Sequence, residues 1–368
     1  MLENEIWDKA RDRIFELYGD RPDCRIISRF YSEKMFFAHR KVGKYFYDLA
    51  MLRAEAEKSG ERLVVKNPVM SCLIAYLLGT TEENPLPAHY YCPKCKTVEW
   101  MDGKCVFDLH VKDCACGAKM IPDGFDIPFE TYLPYVQKLN AVDFVSENDQ
   151  QLADSGHTHF QKSLLDTVGI CKRLEHATGV LTDDIDWNDQ KVKRCLLKGE
   201  FDCLTGAAGG KMIKNMITYT NPKSYLALAK LIGLSHGTYT WRNNAERLLA
   251  DGICLLEDIP ATRDEVFMAL CDALRDCNIC DNGFAYDVSN KACRGYYLEN
   301  GIDDYTNQML AKLGFDAWFA NYIGTTYYMS TKALTVLELK YLIILNWYRV
   351  YAPEEYHVAM RDWLGESP

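Results

Sequence analysis

The sequence holds no run long and apolar enough to cross a bilayer. Its most apolar segment, 333–351, is broken by Glu338, Lys340, Asn346 and Arg349. A secretory leader is also missing, since Met1-Leu-Glu-Asn-Glu-Ile opens acidic with no apolar core behind it. There is no basic excess: 42 Lys and Arg stand against 52 Asp and Glu, for a net charge of −10. A chain of that sign is repelled by nucleic acid as a whole, so a DNA-binding role needs a local basic face. The candidates are 191–198 and the pair Lys211 and Lys214, each of which reads first as a solvated helix face. No phosphate loop is present either. Gly206-Ala-Ala-Gly-Gly-Lys211 lacks the G-x-x-x-x-G-K-[ST] spacing and the apolar strand before it, and reads as a flexible turn. These absences predict a cytoplasmic protein with no membrane span.

Cysteine is abundant instead. Fifteen cysteines without a leader predict free thiols and metal in a reducing compartment, not a disulfide scaffold. Cys92-Pro-Lys-Cys95 is a CxxC knuckle, and Cys114-Ala-Cys116, closed by Gly117, supplies a second thiolate pair about twenty residues on. Two such pairs are what a structural zinc needs to pin a loop with little core of its own. The second pair is CxC, so Cys105, His110 or Asp113 stands as an alternative fourth ligand. Cys277-Asn-Ile-Cys280, with Cys271 and Cys293, offers another grouping, but it sits at helix ends without partner turns and reads as core thiols.

With 368 residues, 48% hydrophobic and 26% charged, the chain suffices for two or three packed subdomains. Apolar spacing predicts helices over most of 5–57, at Leu73–Leu78, at Ser224–Ile232, at Asn243–Ala250 and at Ala333–Tyr351, where Pro353 ends the pattern. Asp183-Asp184-Ile-Asp186 reads as the capping region of the helix that follows.

Three segments in order, Asn84-Pro-Leu-Pro, Cys92-Pro-Lys-Cys95 and Asp126-Ile-Pro-Phe-Glu130, carry a family resemblance. A second block is Ile232-Gly-Leu-Ser-His-Gly-Thr238 with Trp241 and Asn244-Ala245. Both resemble the alpha subunit of the PolC-type bacterial DNA polymerase III. The resemblance implies an α+β fold: a reduced polymerase-type palm with a zinc-knuckle insert, followed by a mostly helical fingers-like domain. The implied divisions are 1–83 (palm start), 84–130 (insert), 131–182 (palm remnant) and 183–368 (fingers). It also implies structural zinc on Cys92, Cys95, Cys114 and Cys116. Nothing in the sequence matches the family's exonuclease, PHP or clamp-binding modules.

The same resemblance exposes departures. Val64–Cys72 falls over a glycine- and serine-rich turn that in the family holds the triphosphate. Lys66 stands at the arginine position and Ser71 survives, but Val64, Asn67 and Met70 replace glycines, and Pro68 removes an N–H. The family's Asp-x-Asp strand becomes Ala141-Val-Asp143, and Ser163–Gly169 looks like the strand of the third aspartate, Asp166. Two carboxylates one residue apart, with a third, hold two Mg²⁺ ions in such enzymes. Here the triad reads Ala141, Asp143, Asp166. His157, His159 and Asp154 are alternative ligands if any metal chemistry survives. In the fingers-like part, Ser235 and His236 fall on a turn near nucleotide or DNA, and Lys332 keeps roughly a nucleotide-flanking lysine position.

The expectation is a catalytically inactive pseudo-polymerase that binds a replication protein or DNA. A reduced nucleotidyltransferase using Asp143, Asp166 and Mg²⁺, or a zinc-stabilised interaction protein, are the alternatives.

Overall fold

The computed structural model describes residues 2–40, 43–58, 64–65, 69–132, 144–145, 162–202 and 207–364, which group into two compact units. The protein is mostly helical, with a small antiparallel sheet. One unit comprises Met1–Asp189 with Ile344–Pro368, the other Gln190–Ile343.

The first unit begins with helices α1 (Leu2–Tyr18), α2 (Cys24–Arg40) and α3 (Gly43–Lys58). Along α1, Ile6, Ala10, Ile14, Leu17 and Tyr18 recur at helical spacing and are buried. They meet Phe30 and Phe37 of α2 and Phe46 and Leu49 of α3. Edge-on ring contacts tie these helices together, Trp7 to Phe30 at 6.2 Å and Phe37 to Phe46 at 4.9 Å. A short strand β1 (Val64–Val65) and a 3-10 turn at Val69–Ser71 lead into α4 (Leu73–Leu77), whose residues close the core from below.

The insert is a four-stranded antiparallel sheet of β2 (His89–Tyr91), β3 (Val98–Trp100), β4 (Lys112–Asp113) and β5 (Lys119–Asp123), in the order β3-β2-β5-β4. The Asn-Pro-Leu-Pro and Asp-Ile-Pro-Phe-Glu segments lie side by side beside it. The carbonyls of Asn84, Leu86 and Pro85 accept from the N–H groups of Phe125, Asp126 and Ile127 at 2.8, 2.8 and 2.9 Å. Prolines suit one side of such a pairing, because they accept without needing to donate. Gly124 turns the chain at φ +94, where a Cβ would come 2.3 Å from the Pro87 carbonyl.

A buried polar network fixes this insert to the helices. Asn84 Nδ2 donates to the Tyr18 hydroxyl (2.9 Å) and to Asp123 (2.7 Å), which also accepts from Tyr76. Tyr18 in turn pairs with His89 Nε2 at 3.2 Å, while His89 Nδ1 meets the Pro87 carbonyl at 2.8 Å. That second contact requires the proton on Nδ1, so Nε2 accepts from Tyr18. Burial, with the nearby Asp123 charge, holds the Tyr18 and Tyr76 hydroxyls protonated.

Strand β6 (Phe144–Val145) pairs antiparallel with β1, Val64 opposite Val145. Beyond it, helix α5 spans Lys162–Thr178. This corrects the strand expected at Ser163–Gly169. Val168, Cys171 and Leu174 are buried at helical spacing, so the apolar run belongs to a helix stripe.

The second unit consists of helices: α6 (Gln190–Leu197), α7 (Ala207–Thr220), α8 (Tyr225–His236), α9 (Glu246–Ala250), α10 (Arg263–Asp276), α11 (Asn282–Ala292), α12 (Tyr296–Asn300), α13 (Asp304–Lys312), α14 (Ala317–Thr325) and α15 (Lys332–Tyr351). Helix α15 runs past Ile343, so its last residues count with the first unit. Side-chain caps set several starts. Ser224, Thr262, Asp281 and Asp303 each accept from the backbone N–H three residues on. Eight of the twelve residues of α8 are buried, including Lys230, whose ammonium meets the Ile259 carbonyl at 2.7 Å and Glu265 at 3.4 Å. Pro353 ends α15 as expected but also opens a further helix, Pro353–Leu364.

Candidate functional site

The two cysteine pairs sit at the tips of two hairpins. After β2 the chain turns back on itself, with Cys92 N–H bonded to the Thr97 carbonyl (2.9 Å) and Lys96 N–H to the Cys92 carbonyl (3.0 Å). Lys96 adopts a left-handed φ of +64, and the Cys95 N–H points at the Cys92 sulfur, 3.4 Å away. Between β4 and β5, Cys114 and Ala118 pair across the turn and Gly117 takes φ +81. The sheet order places β2 beside β5, so both tips meet. Cys92 and Cys116 sulfurs lie 3.5 Å apart, as do those of Cys95 and Cys114, and all four fall within 4.8 Å of one another. Four sulfurs at about 2.3 Å from a tetrahedral ion stand roughly 3.8 Å apart, so this donor set fits one metal.

Both cysteines of the CxC pair take part. Among the described residues this is the one group of metal-ligating side chains, and Cys105, His110 and Asp113 are outside it. Asp113 instead pairs with Lys119 at 2.5 Å. The thiols differ in acidity. Thr97 hydrogen bonds lower Cys95 to about 6, and the Cys95 N–H lowers Cys92. Cys114 is pushed up to about 12 by the neighbouring thiols, against the Cys116 N–H. Of the other cysteine grouping, Cys277 and Cys280 are exposed, which corrects their reading as core thiols.

Around residues 64–74 the contacts are internal to the chain. Lys66 lies outside the described residues. Ser71 is fully buried, and its carbonyl accepts from Arg29 Nη2 at 2.6 Å. The first N–H groups of α4, Leu73 and Ile74, donate to the two carboxylate oxygens of Glu33 at 2.9 and 3.0 Å. Glu33 is fully buried and is held from its own helix by Arg29 Nε at 2.6 Å. Arg29 also donates to the Ile127 carbonyl (3.0 Å) and lies over the Phe129 ring at 4.7 Å. Burial pushes the Glu33 carboxyl up, opposed by Arg29 and the two N–H donors. The helical pattern over 5–57 does not reveal this pair. Its only local signal is an Arg and a Glu four apart on one helix.

Ala141 and Asp143, with Asp154, His157 and His159, lie outside the described residues. Asp166 falls in the first turns of α5. The described Phe144–Val145, next to Asp143, pairs with Val64–Val65, next to Lys66.

In the second unit, the expected turn at Ser235 and His236 is helical, because α8 runs through His236 and the turn begins at Gly237. Ser235 bonds back to the Ile232 carbonyl at 2.7 Å. His236 Nε2 meets Glu338 at 2.5 Å. Lys332 starts α15, its N–H on Asp264 at 2.6 Å and its ammonium 4.0 Å from the Met268 sulfur. Asn244 is buried and donates to the Tyr239 carbonyl at 2.8 Å and the Tyr322 carbonyl at 3.2 Å. Ser71, Ser235, His236 and Lys332 are each engaged close by, by Arg29, the Ile232 carbonyl, Glu338 and Asp264.

The fold and site define a helical protein with a four-cysteine knuckle insert. No family model matches the chain. It is similar, over 97% of its length, to the DNA polymerase III PolC-type of Clostridium perfringens at 24% identity and to that of Caldanaerobacter subterraneus at 23%. The Bacillus cereus DNA polymerase III PolC-type matches 95% of it at 22%. The chain is thus a distant homologue of the PolC-type enzymes, and it spans about a third of the length of the curated relatives it matches. The first alignment runs over 480 positions against a chain of 368 residues, so within it the relatives hold more than a hundred residues that this chain lacks.

The His236–Glu338 pair generates a pH prediction. Burial disfavours the imidazolium, but the Glu338 hydrogen bond and charge outweigh it and raise the His236 pKa. The stabilisation is fully present below the unfolded value near 6.5 and is lost as pH rises through the folded one. Chemical denaturation from pH 6 to pH 9 will show that loss, and Glu338→Gln will flatten it.

Proposed function

We propose that this protein is a DNA polymerase III-related, PolC-like core remnant that no longer joins nucleotides and acts by binding DNA or a replication protein in the cytoplasm. The observation that carries this reading is the Glu33 carboxylate on the first N–H groups of α4. Those groups follow directly on the segment that the resemblance aligns with the triphosphate turn. They are satisfied from within the chain by an anion that a triphosphate would have to displace. The sequence adds Ala141 at the first metal-ligand position and Pro68 in the turn. Polymerisation depends on positioned charge, and each lost group of that kind costs about a hundredfold or more.

Zinc on Cys92, Cys95, Cys114 and Cys116 serves the frame. It joins the two hairpin tips of a sheet whose strands are two to five residues long and which has only a small apolar cluster of its own. The four thiolates would fill the tetrahedral positions of such an ion and leave none open for chemistry. Purified protein will contain one zinc per chain by elemental analysis. Cys95→Ser will lose it and lower the thermal midpoint, whereas Cys277→Ser will do neither.

Primer extension with Mg²⁺ or Mn²⁺ tests the inactive reading. No template-directed incorporation is expected. Incorporation that disappears in Asp166→Ala would establish the alternative, a reduced nucleotidyltransferase using Asp143 and Asp166.

A further inference from the structure

The net charge of −10 is unevenly distributed. Gln190–Ile343 carries as many basic as acidic residues, so the whole deficit lies in the other unit. Within 190–250 the balance inverts, with ten Lys and Arg against Glu200, Asp202 and Glu246. Lys230 among them is buried and pairs with Glu265.

Lys198, Lys211 and Lys214 gather where residues 198–201 meet α7. A Cβ added at Gly199, beside the exposed Lys198, would come 3.6 Å from the Lys214 stem, whose ammonium lies over the Phe201 ring at 5.4 Å. Lys211, also exposed, precedes Lys214 by three residues on α7. Further along that helix, Tyr219 is 50% exposed and meets Trp241 edge-on at 6.0 Å. Trp241 leads straight into the exposed Arg242.

The turn that carries Trp241 and Arg242 is strained. Tyr239 and Asn243, neither a glycine, hold φ of +61 and +57. A bridge between Thr238 and Tyr328, the Thr240 hydroxyl on the Leu234 carbonyl at 2.8 Å, and the Asn244 amide keep it so. The consequence of that strain is display: Tyr239 stands 60% exposed beside Tyr327, itself 47% exposed, at 6.3 Å.

We propose that Lys198, Lys211, Lys214 and Arg242, with the exposed rings of Tyr219 and Tyr239, form a binding face for single-stranded nucleic acid. Lysines spaced along a surface neutralise successive phosphates, and exposed rings between them offer stacking platforms that any base can use. Duplex DNA hides its base faces, so this face favours single strands. An acidic protein surface would use the charges but leave the rings idle. The proposal deepens the binding reading above, which leaves DNA and protein open.

The test is fluorescence anisotropy of a labelled twenty-residue oligothymidylate with the full chain at low salt. Saturable binding is expected, at least tenfold tighter than to duplex of equal length. Lys198→Glu with Lys214→Glu will weaken it at least tenfold and flatten the log–log salt dependence by about 1.4, which is about 0.7 per contact. Tyr219→Ala will weaken it about tenfold while leaving the salt slope unchanged. If the first double variant fails to keep the native circular dichroism, Lys211→Glu with Arg242→Glu serves in its place. No binding, equal affinity for duplex, or competition by polyglutamate as effective as that by unlabelled oligothymidylate would overturn the proposal. Binding untouched by both double variants would also overturn this face, yet leave the binding reading standing. Nucleotide incorporation in primer extension would overturn the inactive reading and leave the face intact.

Discussion

A buried carboxylate placed on two backbone donors organises the first unit. Glu33 satisfies the opening N–H groups of α4, and Arg29 holds it there while also reaching the Ser71 and Ile127 carbonyls. Three stretches of chain remote in sequence converge on this pair: α2, the 3-10 turn running into α4, and the Asp-Ile-Pro-Phe-Glu segment. Removing one member of such a pair leaves the other charged, buried and alone, which costs about 3–5 kcal/mol. The helix start is thereby fixed, and its donors are already taken.

The segments that resemble the PolC-type enzymes most are those whose geometry has few chemical solutions. Asn84 serves two side chains and orders its own turn, while the carbonyls of Asn84, Pro85 and Leu86 accept from the segment ending in Ile127. Four thiols at two hairpin tips need fixed spacing and a left-handed residue after each pair. The block from Gly233 to Ala245 supplies a strained turn whose Asn244 amide closes it. All three are framework, and none requires nucleotide chemistry to explain it. By contrast, Ser235, His236 and Lys332 are each engaged locally, by a helix carbonyl, by Glu338 and by Asp264.

The four-cysteine cluster was legible in the sequence because its determinants are local: a CxxC, a CxC and a glycine in a left-handed turn. Sequence left the fourth ligand open, since choosing among Cys105, His110, Asp113 and the CxC pair requires knowing that β2 lies beside β5. The helices of 5–57 and 333–351 were legible from apolar spacing. Ser163–Gly169 was not, because a short apolar run has the same composition in a strand and in a helix, and the deciding residues, Cys171 and Leu174, lie beyond it. Glu33 was out of reach for another reason: its partners are 40 and 41 residues away along the chain, and a carboxylate on a helix reads as solvated by default. Whole-chain charge averages a basic 190–250 against acidic surroundings.

Isothermal titration of a deoxynucleoside triphosphate with Mg²⁺ into the full chain tests the account most directly. If Glu33 fills the place of the triphosphate and the metal ligands are incomplete, no saturable heat will appear at millimolar nucleotide. Saturable, Mg²⁺-dependent binding that is lost in Asp166→Ala would contradict it.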